Sequence, residues 1–129
     1  MASDIDLYSG GELESRMGIE IVSLSAERSV ATMRVEGNRQ RAGLMHGGAY
    51  VVLGETLGSM SAALHAGPDV AVVGIEINAT HSGSATSGVV TGTCEAIHLG
   101  RTLCTHEIVV RDEAGRRCST IRMTNLLRR

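Results

Sequence analysis

The chain has 129 residues, 43% of them apolar, with 16 glycines, one proline and neither Phe nor Trp. That length suits one domain without a separate cofactor domain, and the apolar content builds a core rather than a disordered chain. The net charge is −2 and every basic residue is an arginine; this excludes the basic field and aromatic platform of a general nucleic-acid binder, while leaving arginine forks for phosphate on a small ligand.

Met1 to Asp6 are polar and acidic, unlike a signal peptide, and no apolar run nears the ~20 residues of a membrane span. Residues 1–15 read as a lead-in, with one helical turn around Glu12 to Met17, ahead of a single domain over 16–129. Strand patterns follow at Ile19 to Leu24 and at Ser29 to Val35, where Ala31, Met33 and Val35 alternate with Val30, Thr32 and Arg34. Glu36 to Arg41 break the alternation and form a loop. Ala49 to Ala66 then reads as a helix, apolar around most of its circumference and so centrally buried. Gly54, Gly58, Ser59, Ser61 and Ala62 let another backbone approach it, and Gly67-Pro68 ends it. Four further strands follow, at Val70 to Ile77, Ser87 to Ile97, Thr102 to Arg111 and Arg117 to Leu127, the last two joined by a hairpin around Gly115. Two strands, a long helix and four strands make an α+β chain, most simply an antiparallel sheet curled around the helix. Such a sheet leaves edges to protect, so self-association is expected. Cys94, Cys104 and Cys118 are odd in number and widely spaced. They read as reduced thiols of a cytoplasmic protein, without the close pairs of a zinc site.

The chemistry concentrates where the loop enters the helix. In Gln40-Arg41-Ala42-Gly43-Leu44-Met45-His46-Gly47-Gly48 the two glycines at the helix start expose backbone N–H groups. A helix N-terminus stabilises negative charge, such as the oxyanion that develops on a thioester carbonyl. Glu55 interrupts a run of small and aliphatic residues on a helix expected to be mostly buried, where carboxylates are rare unless paired or functional. Ser59, four residues on, shares its face and is either a partner of the carboxylate or a small packing residue. His46 and Glu55 are nine residues apart, which a helix converts to roughly 13 Å of rise and opposite sides. If both serve one site, a second copy of the chain must supply one of them, and a two-fold axis makes two equal sites. His81 ends a strand, and His65, His98 and His106 have no metal-ligand spacing relative to it, so no metal site is expected. His98-Leu99-Gly100-Arg101-Thr102 lies between two strands, where its arginine, hydroxyl and backbone N–H groups suit a phosphate or serve an ordinary hairpin.

Four segments together resemble the hotdog-fold thioesterases of the branch that includes 1,4-dihydroxy-2-naphthoyl-CoA hydrolase, the enterobactin proofreading thioesterase and the soil-bacterial 4-hydroxybenzoyl-CoA thioesterase. They are Gly43 to Gly48, Leu53-Gly54-Glu55-Thr56-Leu57-Gly58-Ser59, Val73 to His81, and His98-Leu99-Gly100. The resemblance implies a sheet wrapped around one helix, dimers that pair into tetramers, active sites at the dimer interface, and no cofactor. It places Glu55 on the catalytic carboxylate, as nucleophile or general base. Gln40 and the Gly47 N–H match the groups that polarise the carbonyl, and His46, Ser59 and His81 match residues lining the site. Gly74, Ser84 and the segment His98, Leu99, Gly100, Arg101, Thr102 and Leu103 match substrate and CoA contacts. Two positions depart from the pattern. Arg41 stands where proline is frequent, which loosens the loop presenting Gln40, and Gly83 stands where near relatives often carry arginine. The function implied is hydrolysis of an aryl- or other bulky acyl-CoA to free acid and CoA. The alternatives are a thioesterase acting on acyl-carrier-protein thioesters and a non-catalytic acyl-CoA-binding protein; a hotdog dehydratase lacks a match to its His/Asp arrangement.

Overall fold

The computed structural model describes residues 10–129. The expectations for Met1 to Asp6, and for the rest of the lead-in up to residue 9, lie outside the described residues. The elements run α1 (Glu12–Met17), β1 (Ile19–Ser23), β2 (Arg28–Arg34), α2 (Gly47–Ala66), β3 (Ala71–His81), β4 (Val89–Leu99), β5 (Leu103–Arg111) and β6 (Arg117–Arg128). The six strands form one sheet in the order β1-β2-β4-β5-β6-β3, with every neighbouring pair antiparallel. α2 packs on the inner face of that sheet, touching β2 to β6. This is the expected α+β architecture, a sheet curled around one long helix: the hotdog fold.

Alternation of side chains builds the core. Ala31 and Met33 of β2, Val90 and Cys94 of β4, Ile108 and Val110 of β5, and Ile121 and Met123 of β6 all face inward onto Tyr50, Leu53 and Leu57 of α2. Each inward Val, Leu, Ile or Met side chain contributes about 1.5–3 kcal/mol through removal from water. The glycines of α2 let the helix lie almost on the strands. A Cβ at Gly54 would stand 2.8 Å from Ile121 Cδ1, and one at Gly58 2.8 Å from Met123 Sδ.

The boundaries differ from the sequence reading where capping and pairing override pattern. α2 starts at Gly47 instead of Ala49, because His46 caps it and its Nδ1 accepts the Gly48 N–H at 2.9 Å. β3 ends at His81, as the strand-like stretch from Gly74 to His81 implies, held by pairing with β6 through Asn78↔Arg122 and on to His81↔Ser119. α1 closes at Gly18, which adopts the left-handed φ of 72°. It docks on α2 through Glu14, whose Oε2 accepts the Thr56 hydroxyl at 2.8 Å.

The two sheet edges are unequal. β1 is five residues long, whereas β3 runs eleven residues beside α2 and carries exposed Val73 and Ile75. A bulge between Gly74 and Glu76 breaks its register with β6. Among the described residues no helix is long and apolar enough to cross a membrane.

Candidate active site

The structure distributes the expected site residues over three places around α2. The first is the helix tip. Gln40 sits in a short closed loop in which its N–H donates to the Leu44 carbonyl (2.7 Å), its own carbonyl accepts from Gly43 N–H (3.0 Å), and its side-chain Oε1 accepts the Ala42 N–H. The loop without a proline is therefore tied by hydrogen bonds. With Oε1 engaged, the amide Nε2–H₂ is left to donate to a ligand.

His46, Gly47 and His81 meet at this tip. A Cβ on Gly47 would stand 2.8 Å from His81 Cδ2, so only glycine admits the imidazole at that distance. The ring is fixed by a 2.8 Å hydrogen bond between Nδ1 and Ser119 Oγ, and lies with its centroid 5.5 Å from that of Tyr50. Tyr50 in turn accepts the Ala85 N–H on its hydroxyl at 3.2 Å, and burial pushes its pKa up to about 12, so it stays a neutral phenol. The expectation of two exposed glycine N–H groups is corrected to one. Gly48 donates to His46 Nδ1, while the Gly47 N–H finds no acceptor among the described residues.

The second place is the middle of α2. Glu55 is exposed in the single chain, which overturns the expectation of a buried carboxylate. The reason is that the sheet covers the face of α2 bearing Leu53, Leu57 and Gly58 and leaves the Glu55 face open. Among the described residues no cation pairs with Glu55. It borders two clefts. One, of about 390 Å³, is lined by Leu13 and Glu14 of α1 and by Val52, Thr56, Ser59 and Met60 of α2. The other, of about 260 Å³, is lined by Gly74, Ile75, Glu76, Ile77 and Met123. Ser59 and Gly74 thus stand with Glu55, one on each side. Neither Gln40, His46, Gly47 nor His81 lines either cleft; within one chain the tip and the carboxylate remain apart, as the helix spacing requires.

The third place is the β4–β5 turn. The Gly100 N–H donates to the Leu103 carbonyl, and a Cβ on Gly100 would stand 2.5 Å from His98 Nε2, so the imidazole covers the turn. His65 Nε2 bonds the Gly100 carbonyl at 2.8 Å, tying the turn to the end of α2. The Arg129 guanidinium donates to the Arg101 carbonyl, which brings a second guanidinium beside the exposed Arg101 and Thr102. Leu99 is half-buried and Leu103 is exposed. Ser84 lies exposed in the loop between β3 and β4. At its neighbour Gly83 a Cβ would stand 2.6 Å from the Arg117 carbonyl oxygen, so this backbone excludes an arginine there.

Two polar contributions escape the sequence reading. Glu14 of the lead-in forms a wall of the larger Glu55 cleft. Asn125 of β6 is fully buried, with Nδ2 donating to the Gly58 carbonyl at 3.4 Å and Oδ1 unpartnered among the described residues. The alternation Ile121, Met123, Asn125, Leu127 marks it as a polar residue in an inward-facing apolar row.

Residues 42–119 match the Thioesterase superfamily. The chain belongs to that superfamily. It is 44% identical to the proofreading thioesterase EntH of Cronobacter turicensis, over 93% of this chain and 88% of the relative. To EntH of Klebsiella pneumoniae it is 45% identical, over 92% and 88%. A solved thioesterase of Haemophilus influenzae superposes with a TM-score of 0.88 at 33% identity, covering 98% of this chain and 90% of that one. The chain is therefore a hydrolase of thioester bonds on the hotdog fold.

Proposed function

We propose that this thioesterase hydrolyses an aryl- or other bulky acyl-CoA to the free acid and CoA, in two equal sites that each join the α2 tip of one subunit to Glu55 of the other. The observation that carries the reading is the separation of two unfinished groups on one helix. Among the described residues the Gly47 N–H at the tip lacks an acceptor and the Glu55 carboxylate lacks a cation, eight residues and about 12 Å of helix rise further along. A two-fold pairing of chains along the long β3 edge joins them without new chemistry. Four chains then assemble as a pair of such dimers.

In this site the Gln40 amide and the Gly47 N–H hold the carbonyl oxygen as charge develops on it. His46 and His81 shape the pocket around them. Glu55 attacks the carbonyl carbon or takes a proton from the attacking water, and CoA leaves as the thiolate. Ser59 flanks the carboxylate, Gly74 and Ser84 border the substrate, and the turn from His98 to Leu103 takes the CoA chain with its phosphates facing Arg101. A glutamate rather than an aspartate at this point of the helix supports a reading of the chain alongside the 1,4-dihydroxy-2-naphthoyl-CoA and 4-hydroxybenzoyl-CoA hydrolases of the superfamily. The cleft at Glu55, lined by Leu13, Val52 and Met60, supports a bulky apolar acyl group. Three buried, unpaired cysteines fit work in the reducing cytoplasm.

The test is release of free thiol from a panel of acyl-CoA and acyl-carrier-protein thioesters carrying the same acyl groups. Glu55→Ala lowers kcat on the best substrate by at least ~10³-fold while circular dichroism keeps the native signature. Retained turnover in that variant, or faster turnover of every carrier-protein thioester, sinks the assignment.

A further inference from the structure

The buried amide of Asn125 is a cost that packing does not explain. Its neighbours in the inward row, Ile121, Met123 and Leu127, are apolar, and a buried carbonyl oxygen without a donor costs about 1–3 kcal/mol. The bond from Nδ2 to the Gly58 carbonyl is long at 3.4 Å, and a mid-helix carbonyl already serves the helix ladder. That contact does, however, fix which end of the amide is the donor, and so leaves Oδ1 as the acceptor.

Oδ1 lies beside the place that a side chain on Gly74, its pairing partner on β3, would take. The position of a Cβ on Gly74 lies 3.6 Å from Asn125 Oδ1 and 3.8 Å from Glu55 Oε2. The two acceptor oxygens flank one point; Met123 shuts Asn125 Oδ1 from solvent there, and a turn of that side chain together with a rotation of Glu55 brings both oxygens within reach of a single water. Met123 Cε borders the same point at 2.9 Å, and its rotatable bonds let it swing aside.

We infer that Asn125 is a positioning residue that holds the hydrolytic water against Glu55, in the niche that Gly74 keeps open. The inference rests on the reading of Glu55 as the catalytic carboxylate and gives it the role of general base. Both niche oxygens are acceptors, so the water donates one hydrogen to Asn125 Oδ1 and the other to Glu55. Its lone pairs are left facing the substrate. As the water oxygen bonds to the thioester carbon, its proton passes to Glu55 and the carbonyl oxygen takes up negative charge. Collapse breaks the C–S bond, the thiolate departs with its electron pair, and the Glu55 proton is then given to it. The products are acid and thiol, with the carboxylate restored.

Two variants test this by different routes. Asn125→Leu removes the acceptor while keeping the branched skeleton of the side chain. Gly74→Ala fills the niche while both oxygens stay, at a backbone position without positive φ and against the movable end of Met123. In each, kcat falls about 10- to 100-fold with KM within about twofold of the parent, as expected when a nucleophile is misplaced. Gly74→Ala answers the question if Asn125→Leu does not fold. A single turnover in oxygen-18 water puts the label in the released acid. Full kcat in folded Gly74→Ala, or label in the Glu55 carboxylate, overturns the niche. If Glu55→Ala is inactive while Gly74→Ala keeps full kcat, the niche alone has failed; if Glu55→Ala remains active, the underlying assignment has failed as well.

Discussion

At the tip of α2 polar side chains are held by their neighbours: His46 takes the Gly48 N–H, His81 bonds Ser119, and Gln40 takes the Ala42 N–H. At the middle of the same helix Glu55 has no cation and Asn125 Oδ1 has no donor among the described residues. The tip is rigid before any ligand arrives, as a site that stabilises developing charge requires, because its donors then need no reorganisation during the reaction. On the proposed reading, the middle holds groups whose partners come from outside the chain. Glu14 sharpens the contrast. It stands in the same cleft as Glu55, yet it is bonded on both oxygens, by the Gly11 N–H and the Thr56 hydroxyl. One carboxylate is spent on structure and the other is kept free.

If tip and middle form one site across two chains, separating the chains disables both at once. Val73→Arg adds charge to the exposed apolar edge of β3. It is expected to yield monomers with native circular dichroism and at least ~100-fold less turnover, read by light scattering and thiol release. Full activity in a monomer breaks the comparison. The middle effect belongs to Gly47→Ala. The added methyl stands 2.8 Å from His81 Cδ2, which displaces the ring and crowds the carbonyl site. Loss of that order for one oxyanion donor is about 10²-fold in kcat. Subunit exchange between Glu55→Ala and Gly47→Ala chains sharpens the point, because half the chains pair as heterodimers with one intact site and about a quarter of native turnover returns. Two mutations within one self-contained site would restore nothing.

The sequence carried the fold well, because strand alternation and helix composition act locally. Ala31, Met33 and Val35 face inward as their spacing requires, and α2 ends at Gly67 as the Gly-Pro step requires. What pattern missed depends on contacts between distant segments. The register that seats His81 opposite Ser119 is one that neither segment carries alone. Glu55 reads as buried because its helical neighbours are apolar, yet one chain has sheet enough to cover only one face of α2. Gly48 reads as a free donor until the imidazole two residues back is seen to accept its hydrogen bond. Asn125 was legible in principle, since a strand that alternates Ile, Met, Asn and Leu announces a polar group in the core. Its meaning required Gly74 and Glu55, from two other elements.

The smallest effect separates the two carboxylates of the Glu55 cleft. Thr56→Val keeps the shape of the side chain but removes the donor to Glu14, and loss of such a hydrogen bond costs about 1 kcal/mol in urea unfolding near pH 7. Partial burial raises the Glu14 pKa, but the Thr56 hydroxyl and the backbone N–H bonds outweigh it and hold the carboxyl below its ordinary value of 4.5. A folded-state pKa below the unfolded one means that the unfolded chain binds the proton first. The stabilisation is therefore complete above pH 4.5 and drains away as the pH falls through the folded value. The gap in stability between native protein and Thr56→Val should narrow in acid for the same reason. A gap that stays constant from pH 7 to well below pH 4.5 would mean that Thr56 acts through packing alone. Turnover per folded site is expected to change by less than about twofold, because Met17 still packs α1 against the core and the carboxylate proposed to react is the one Thr56 does not touch.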